Sequence, residues 1–262
     1  ACLMDLDLHL DQMYKNKKYN VIKSSEIKDG KKKKFLSFKS FSDSGFCFPG
    51  REIETNLSLQ NYDQNFSKEN KSVSFSWQLR VFNSKGNKVI KKTGIIESNT
   101  GTLLNISKYL QDDDGGWFII KLKGQEDGFF GTLRPQVILL GSSWTASYHT
   151  QPHYMASKTV HRTRVFVKSV DSRLNAKVHV INASLMRNEI NLNLYDISGK
   201  KLQSSSEKIP SRSGKFFDLD KVFKISTNDH IYTVEVKSSK PTRKHIINSL
   251  KDGSFSVDHF PN

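Results

Sequence analysis

The pattern of apolar and polar positions along the chain is typical of β-strands. Apolar residues alternate with polar ones over roughly five to eight positions, and Gly, Asn, Asp and Ser separate these segments. Helical periodicity is weak, and its best candidates are two short turns near "NISKYL" and "DLDKVF". The segments "NSKGNK" and "ISGKK" predict hairpin turns, because glycine adopts the positive φ that such turns require. The sequence therefore predicts an all-β protein with short antiparallel strands.

This pattern occurs twice, at an offset of 113 residues, which is the separation of Gly86 from Gly199. Without a gap, "SWQLRVFNSKGNKV" aligns with "EINLNLYDISGKKL", and "IESNTGTLLNISKYL" aligns with "IPSRSGKFFDLDKVF". Glycines and about ten apolar positions coincide, which indicates an internal duplication. Short strands in each copy cannot bury both faces as one sheet, so each copy is predicted to fold into a sandwich.

In this pattern each copy resembles immunoglobulin-like or fibronectin type III modules, although the Cys, Trp and Cys spacing of true immunoglobulin domains is missing. The resemblance implies two tandem antiparallel β-sandwich domains. The predicted organisation is an N-terminal Lys-rich segment outside the repeat, a first sandwich, a linker and a second sandwich, at residues 1–40, 41–150, 151–159 and 160–262.

The chain is strongly basic, with a formal net charge of +15. Clustered Lys and Arg favour nucleic acid or another anionic polymer as a partner. However, only nine of the 41 basic residues are Arg, and planar recognition of phosphate and guanine favours Arg over Lys. The composition therefore disfavours nucleic acid, and leaves binding of an anionic polymer by the Lys surface as a third hypothesis.

The two cysteines, Cys2 and Cys47, are too few for a disulfide framework and lack the spacing of metal ligands. A single bridge between them is neither predicted nor excluded. No stretch approaches the length of an apolar membrane span, so no transmembrane segment is predicted.

Catalytic signatures are missing from the sequence. It contains no Gly-rich phosphate loop, no paired-histidine zinc helix and no Gly-x-Ser-x-Gly segment, and no cofactor is predicted. His149, His153 and His161 are the one local cluster of groups that titrate near neutrality. Their spacing does not by itself set metal geometry. An enzyme or metal-binding protein with a His and aromatic site between the copies is the alternative hypothesis.

The most distinctive segment is "GSSWTASYHTQPHYM", where the first copy ends. Its aromatic and imidazole rings offer flat apolar faces with polar edges, which suit a sugar ring or a protein partner. The predicted ligand-binding residues are Trp144, Tyr148, His149, His153 and Tyr154. The competing interpretation is that these rings pack between the copies. The sequence thus favours a non-enzymatic binding or structural module, related to carbohydrate or surface recognition, with a carbohydrate or protein ligand.

Overall fold

The computed structural model describes twelve ranges of the chain, and the fold is given for these. They are residues 21–22, 37–38, 40–49, 53–61, 74–97, 100–110, 115–124, 135–152, 161–167, 174–223, 230–250 and 255–259. Nearly all of the regular structure within them is antiparallel β-strand, so the prediction of an all-β protein is confirmed. A 3₁₀ turn at Ser107–Tyr109 lies in "NISKYL", one of the two predicted short turns.

The first part of the chain forms two sheets that face each other. Its strands are β1 (Val21–Ile22), β2 (Ser37–Phe38), β3 (Ser40–Cys47), β4 (Glu54–Asn61), β5 (Phe75–Asn83), β6 (Lys88–Ile96), β7 (Thr100–Asn105), β8 (Gly116–Gly124), β9 (Gln136–Leu140), β10 (Thr145–His149) and β11 (Gln151–Pro152). One sheet has the order β10-β9-β4-β7 and the other the order β11-β3-β8-β5-β6. We call β3 to β11 the first unit. β1 and β2 pair with each other within the predicted Lys-rich segment.

The second part also forms two facing sheets. Its elements are β12 (His161–Val167), β13 (Leu174–Asn182), β14 (Asn188–Tyr195), β15 (Lys201–Ile209), β16 (Gly214–Asp218), the helical turn α1 (Leu219–Val222), β17 (His230–Ser238), β18 (Thr242–Leu250) and β19 (Phe255–His259). The sheet orders are β12-β17-β14-β15 and β16-β13-β18-β19. We call β12 to β19 the second unit. The α1 turn lies in "DLDKVF", the other predicted short turn.

The two units share their strand order, and their hairpins have matching bulges and turn glycines. In both, the second strand lies between the fifth and seventh, and the third strand lies between the fourth and sixth. The β5–β6 and β14–β15 hairpins each have a bulge after the matching residue, Val81 or Leu194. Their turn glycines, Gly86 and Gly199, have φ of +86° and +85°. Both predicted hairpins therefore have the expected positive-φ glycine.

The immunoglobulin-like resemblance is not confirmed by the strand connectivity. In an immunoglobulin domain the last two strands share a sheet with strand C. In the second unit the last two strands, β18 and β19, lie beside β13, whereas the third strand, β14, lies in the opposite sheet. In the first unit the equivalent strands, β9 and β10, lie beside β4, whereas the third strand, β5, lies in the opposite sheet. Neither unit therefore follows the immunoglobulin order.

Each unit has an apolar core between its two sheets, because alternate side chains of every strand point inward. The first core includes Leu57, Leu79, Ile120 and Val137, all at most 1% exposed. Full burial of one such side chain stabilises the folded state by about 1.5–3 kcal/mol. The second core consists of Ala176, Val178, Val180, Ile190, Leu192, Leu194, Ile209, Phe217, Leu219, Phe223, Tyr232, Val234, Val236 and Ile246.

Candidate functional site

Trp144 lies at the end of the hairpin that joins β9 to β10. The Gly141 N–H donates a hydrogen bond to the Trp144 carbonyl oxygen (3.0 Å), which closes the turn. The indole ring is half-buried and packs against the rim of the first core. A Cβ atom on Gly141 would overlap this ring, so the ring rests directly on glycine backbone. The hairpin thus holds one indole partly open to solvent.

Substitution of Gly141 by Ala is expected to displace the Trp144 ring, since the added methyl group would occupy the space of the indole. Overpacking of this kind costs about 1–3 kcal/mol. The measurement is the tryptophan emission maximum together with the free energy of unfolding in urea. We expect a red shift of the emission and a lower unfolding free energy. The exposed neighbour Ser142, changed to Ala, is the control and should leave both unchanged. An unshifted Gly141→Ala spectrum would show that the ring does not rest on this glycine.

Tyr148 is buried, with 7% of its surface exposed. Its hydroxyl group donates a hydrogen bond to the Phe46 carbonyl oxygen (2.6 Å), and its ring stacks on the Phe46 ring at 4.7 Å between centroids. Burial raises the pKa of the Tyr148 hydroxyl well above its usual value, and the nearby Cys47 thiol raises this pKa further. The Tyr148 side chain therefore contacts protein on its ring and at its hydroxyl.

His149 is exposed and, being the next residue of β10, lies on the opposite face of the strand from Tyr148. About 17 Å of strand separates it from Trp144, at the usual rise of about 3.4 Å per residue. Close sequence neighbours are thus directed to different places by the pleat. Three of the predicted ligand-binding residues are thus described, Trp144, Tyr148 and His149. The structure brings no two of their side chains together.

His153 and Tyr154 lie outside the described residues, and of His161 the structure describes the backbone alone. Among the described residues, no group of three or more His, Cys, Asp or Glu side chains has the proximity needed to hold a metal ion. The alternative hypothesis of a histidine site between the copies therefore stays a prediction. Ligand binding by Trp144, His149, His153 and Tyr154 stays a prediction as well.

An aromatic seam that is buried except for the half-buried Phe216 joins the two units, and most of its residues were not predicted from the sequence. We define the seam as Phe46, Tyr148, His179, Phe216 and His245. The Phe46 ring lies 5.0 Å from the His179 ring, 5.0 Å from the His245 ring and 5.8 Å from the Phe216 ring, between centroids. These side chains belong to strands of both units, so the seam is an interface between the units, and its Phe46 and Tyr148 also belong to the first core.

Alternation along β13 explains how a histidine reaches the seam. Val178 and Val180 point into the second core. Because side chains alternate along a strand, His179 and Ile181 point to the other face of the sheet. His179 and Ile181 are both fully buried, because the first unit covers that face. The signal in the sequence is an apolar residue, Ile181, on the face that should meet solvent.

A second contact reinforces the seam. The Trp117 indole N–H donates a hydrogen bond to the Arg212 carbonyl oxygen at 2.6 Å. Arg212 has a φ of +52°, a left-handed conformation that is uncommon for a residue other than glycine. Gly86 lies against the same turn, since a Cβ on it would overlap the Ser211 carbonyl oxygen. The β15–β16 turn of the second unit therefore docks on the β5–β6 hairpin end of the first.

The segment predicted to begin the linker lies within the first unit. Gln151 and Pro152 form β11 and pair with Ser44 and Asp43. The Thr150 hydroxyl group donates to the buried Asp43 carboxylate at 2.6 Å, which gives this carboxylate a partner. The sequence favoured a linker here because Pro152 restricts the backbone, but proline is compatible with a short edge strand. Beyond β11, residues 153–159 of the predicted linker lie outside the described part.

Burial disfavours the charged forms of His179 and Cys47 at this interface. It lowers the pKa of His179 from 6.5 to about 3, because a charged imidazolium would lose its hydration among apolar rings. Neither ring nitrogen of His179 has a hydrogen-bond partner. Burial also raises the pKa of the Cys47 thiol well above its usual value, and this cysteine is free. At His179 and Cys47 the chemistry of the interface is therefore packing of a neutral imidazole and a neutral thiol.

Comparison with known proteins assigns no family. No protein-family model matches the chain, and no curated protein matches it either. The chain is similar to a calcium-binding mutant of beta-glucuronidase 2 from Bacteroides uniformis, with 12% identity, a TM-score of 0.21, and coverage of 83% of this chain and 26% of the other. It is also similar to a glycosyl hydrolase family 2 member from Bacteroides cellulosilyticus, with 11% identity, a TM-score of 0.22, and coverage of 83% of this chain and 25% of the other.

A protein from Parabacteroides distasonis is similar over most of both chains, with 9% identity, a TM-score of 0.24, and coverage of 88% of this chain and 86% of the other. The chain thus spans about a quarter of the length of the first two similar structures and most of the third. All three TM-scores lie below 0.5, so these likenesses carry no argument about what the chain does. No helix in the described ranges is long and apolar enough to cross a membrane.

Proposed function

We propose that the chain is a non-enzymatic binding or structural module made of two tandem β-sandwich domains that arose by internal duplication. The proposed domains occupy residues 41–150 and 160–262. The single observation that carries the proposal is the buried seam. Phe46 and His179 are fully buried between the units, so the region between the proposed domains is filled by side chains that hold the domains together. Such packing suits a module that presents surfaces in a fixed arrangement.

The proposed ligand is a carbohydrate, and the proposed contact is Trp144. An indole supported from below by Gly141 loses little side-chain freedom when a sugar ring stacks on it. His149 is exposed on the same hairpin and supplies a polar group at a separate point. Tyr148 supports the hairpin from inside the seam and is not proposed to contact the ligand.

A glycan array tests this proposal. We expect binding to a neutral glycan by the unaltered chain and at least a tenfold weaker affinity for Trp144→Ala, because an aromatic contact of this kind is worth about 2 kcal/mol. The control is Ser142→Ala in the same turn, which should bind as the unaltered chain does. Circular dichroism checks that both variants remain folded. Unchanged affinity in Trp144→Ala would reject the proposed contact, and no binding to any glycan would reject the carbohydrate ligand.

A further inference from the structure

The outer side of the β11-β3-β8-β5-β6 sheet carries positive charge without negative charge. Along β5, Leu79 and Val81 point into the first core, so Gln78 and Arg80 point outward. The strand register then brings further outward positions beside them on β6 and β8. We define the cationic face as Ser76, Gln78, Arg80, Lys91, Thr93, Lys121 and Lys123.

Four cations of this face are exposed and lie on three neighbouring strands. Lys91 is directly opposite Arg80 across β5 and β6, and Lys121 and Lys123 are two positions apart on β8. The described part of the chain contains no ion pair between any of them and a carboxylate, and no outward position of these strands is acidic. Like charges directly opposite each other destabilise a sheet. An anion bound between them would relieve that repulsion.

The equivalent face of the second unit is organised differently. There the Glu235 carboxylate is buried and accepts hydrogen bonds from Asn193 (2.8 Å) and Tyr195 (3.1 Å). The Lys237 ammonium group lies 3.0 Å from the same carboxylate. Because both units have the same strand order, the fold accommodates a charge-balanced face equally well. The uncompensated charge is therefore a property of the first unit and not a requirement of the architecture.

The second unit borders this face at one end. Its β15–β16 turn covers Trp117, which is next to the row of Arg80 and Lys91 in the sheet. Arg212 in that turn is exposed and adds a cation at the border. The uncovered remainder is a strip in which the cations lie among Ser, Gln and Thr side chains and two apolar residues, Ile119 opposite Arg80 and the exposed Ile95 opposite Ser76. The Arg80 Nε–H donates to the Gln78 side-chain oxygen (2.9 Å), which orients the guanidinium group on the strip.

The composition of the strip selects among polyanions. Single-stranded nucleic acids bind sheets through aromatic rings on which bases stack, and the cationic face has no aromatic residue at its described positions. Duplex DNA is read by a helix or a narrow β-ribbon that enters a groove, which a broad sheet cannot do. Three of the four cations are Lys, a point charge suited to single carboxylate or sulfate groups. Hydroxyl and amide side chains between them suit the hydroxyl groups of sugars.

We propose that the cationic face binds an extended acidic polysaccharide through its carboxylate or sulfate groups. Arg80, Lys91, Lys121 and Lys123 neutralise the anionic groups, and Gln78 and Thr93 donate or accept hydrogen bonds between them. This site is distinct from Trp144, which lies on the hairpin of the other sheet. The inference goes beyond the proposed function, and either can fail without the other.

The test measures binding of the full chain to polygalacturonate and to a heparin fragment. The variant is Lys121→Gln with Lys123→Gln, and the matched control is Lys201→Gln with Lys208→Gln, two exposed lysines on the edge strand β15. Both variants lose the same charge. We expect at least tenfold weaker binding for the first and less than twofold for the control. The slope of log affinity against log salt should fall by roughly one to two in the first variant.

Three outcomes would overturn the proposal. Equal weakening in both double variants would show that net charge acts without a defined face. Tighter binding to single-stranded DNA than to either polysaccharide would show that the ligand of this face is nucleic acid and not an acidic polysaccharide. No binding to either polysaccharide at low salt would reject an acidic polysaccharide as the ligand. Trp144→Ala, run alongside, should bind both polysaccharides as the unaltered chain does, which separates this site from the proposed neutral-glycan contact.

Discussion

Substitution of Phe46 by Ala is expected to lower the free energy of unfolding by about 3–5 kcal/mol, the usual cost of removing a buried phenyl ring. The Phe46 ring is fully buried and stacks on Tyr148 within the first unit. It also contacts the His179 and Phe216 rings of the second unit. Its removal therefore leaves a cavity at the point where the units meet, and both units should lose stability.

The three tryptophans make this loss measurable for one unit at a time. Trp77, Trp117 and Trp144 all belong to the first unit, so tryptophan emission follows that unit, whereas far-ultraviolet circular dichroism follows both. In the unaltered chain we expect the two signals to change together with denaturant. In Phe46→Ala the two transitions should separate, since the seam no longer couples the units.

Phe75→Ala is the matched control, because Phe75 is equally buried but lies in the first core away from the seam. Because the seam is intact in this variant, Phe75→Ala should lower the stability of the chain while the two signals still change together. If Phe46→Ala and Phe75→Ala gave the same pair of transitions, or if Phe46→Ala cost less than 1 kcal/mol, the seam would not couple the units.

The strands and hairpins could be predicted from the sequence because their determinants are local. Period-two alternation marks which side of a strand is buried, and a glycine such as Gly86 or Gly199 marks the turn that needs positive φ. The seam depends on residues as distant as Phe46 and His245, whose proximity follows from how two sheets pack. No short-range pattern encodes that packing. The same is true of the strand order, which departs from the immunoglobulin arrangement that the pattern resembled.

The candidate site was predicted from residues that are close in the sequence. Adjacent residues of a pleated strand point to opposite faces, so sequence neighbours can be separated in the structure. Tyr148 and His149 are neighbours, yet one is buried in the seam and the other is exposed. The alternation that predicted β10 already implies this separation. The cationic face illustrates the converse, since Arg80 and Lys121 are distant in sequence and lie on one side of one sheet. Net charge indicated a basic protein, but the strand register was needed to locate the charge.

The second large effect is a loss of stability on acidification, caused by His179. The pKa of His179 is about 3 in the folded chain, and its ordinary value of 6.5 applies to the unfolded chain. Above pH 6.5 the imidazole is therefore neutral in the folded and the unfolded chain. Between pH 6.5 and about 3 the unfolded chain binds a proton that the folded chain does not bind. The free energy of unfolding therefore falls as the pH is lowered through this window. The full loss is about 5 kcal/mol, at about 1.4 kcal/mol for each unit of pKa difference.

Substitution of His179 by Leu should remove this contribution, because leucine fills a similar volume among the seam rings and does not titrate. At pH 7 the variant should be at least as stable as the unaltered chain, since two buried ring nitrogens without partners are removed. At pH 4 the variant should be more stable than the unaltered chain by about 3 kcal/mol beyond any difference at pH 7.

The difference between the two proteins isolates His179, because carboxylates that titrate in acid are common to both and cancel. Lys244 does not interfere, since burial lowers its pKa from 10.5 to about 7 and its effect on stability lies above that pH. Phe216→Leu is the control for altered packing: its ring lies 4.3 Å from the His179 ring and does not titrate. Urea unfolding at pH 7, 5.5 and 4 should give Phe216→Leu the pH dependence of the unaltered chain. Equal pH dependence in His179→Leu would mean that the imidazole is protonated in the folded seam, and its burial among neutral rings would be wrong.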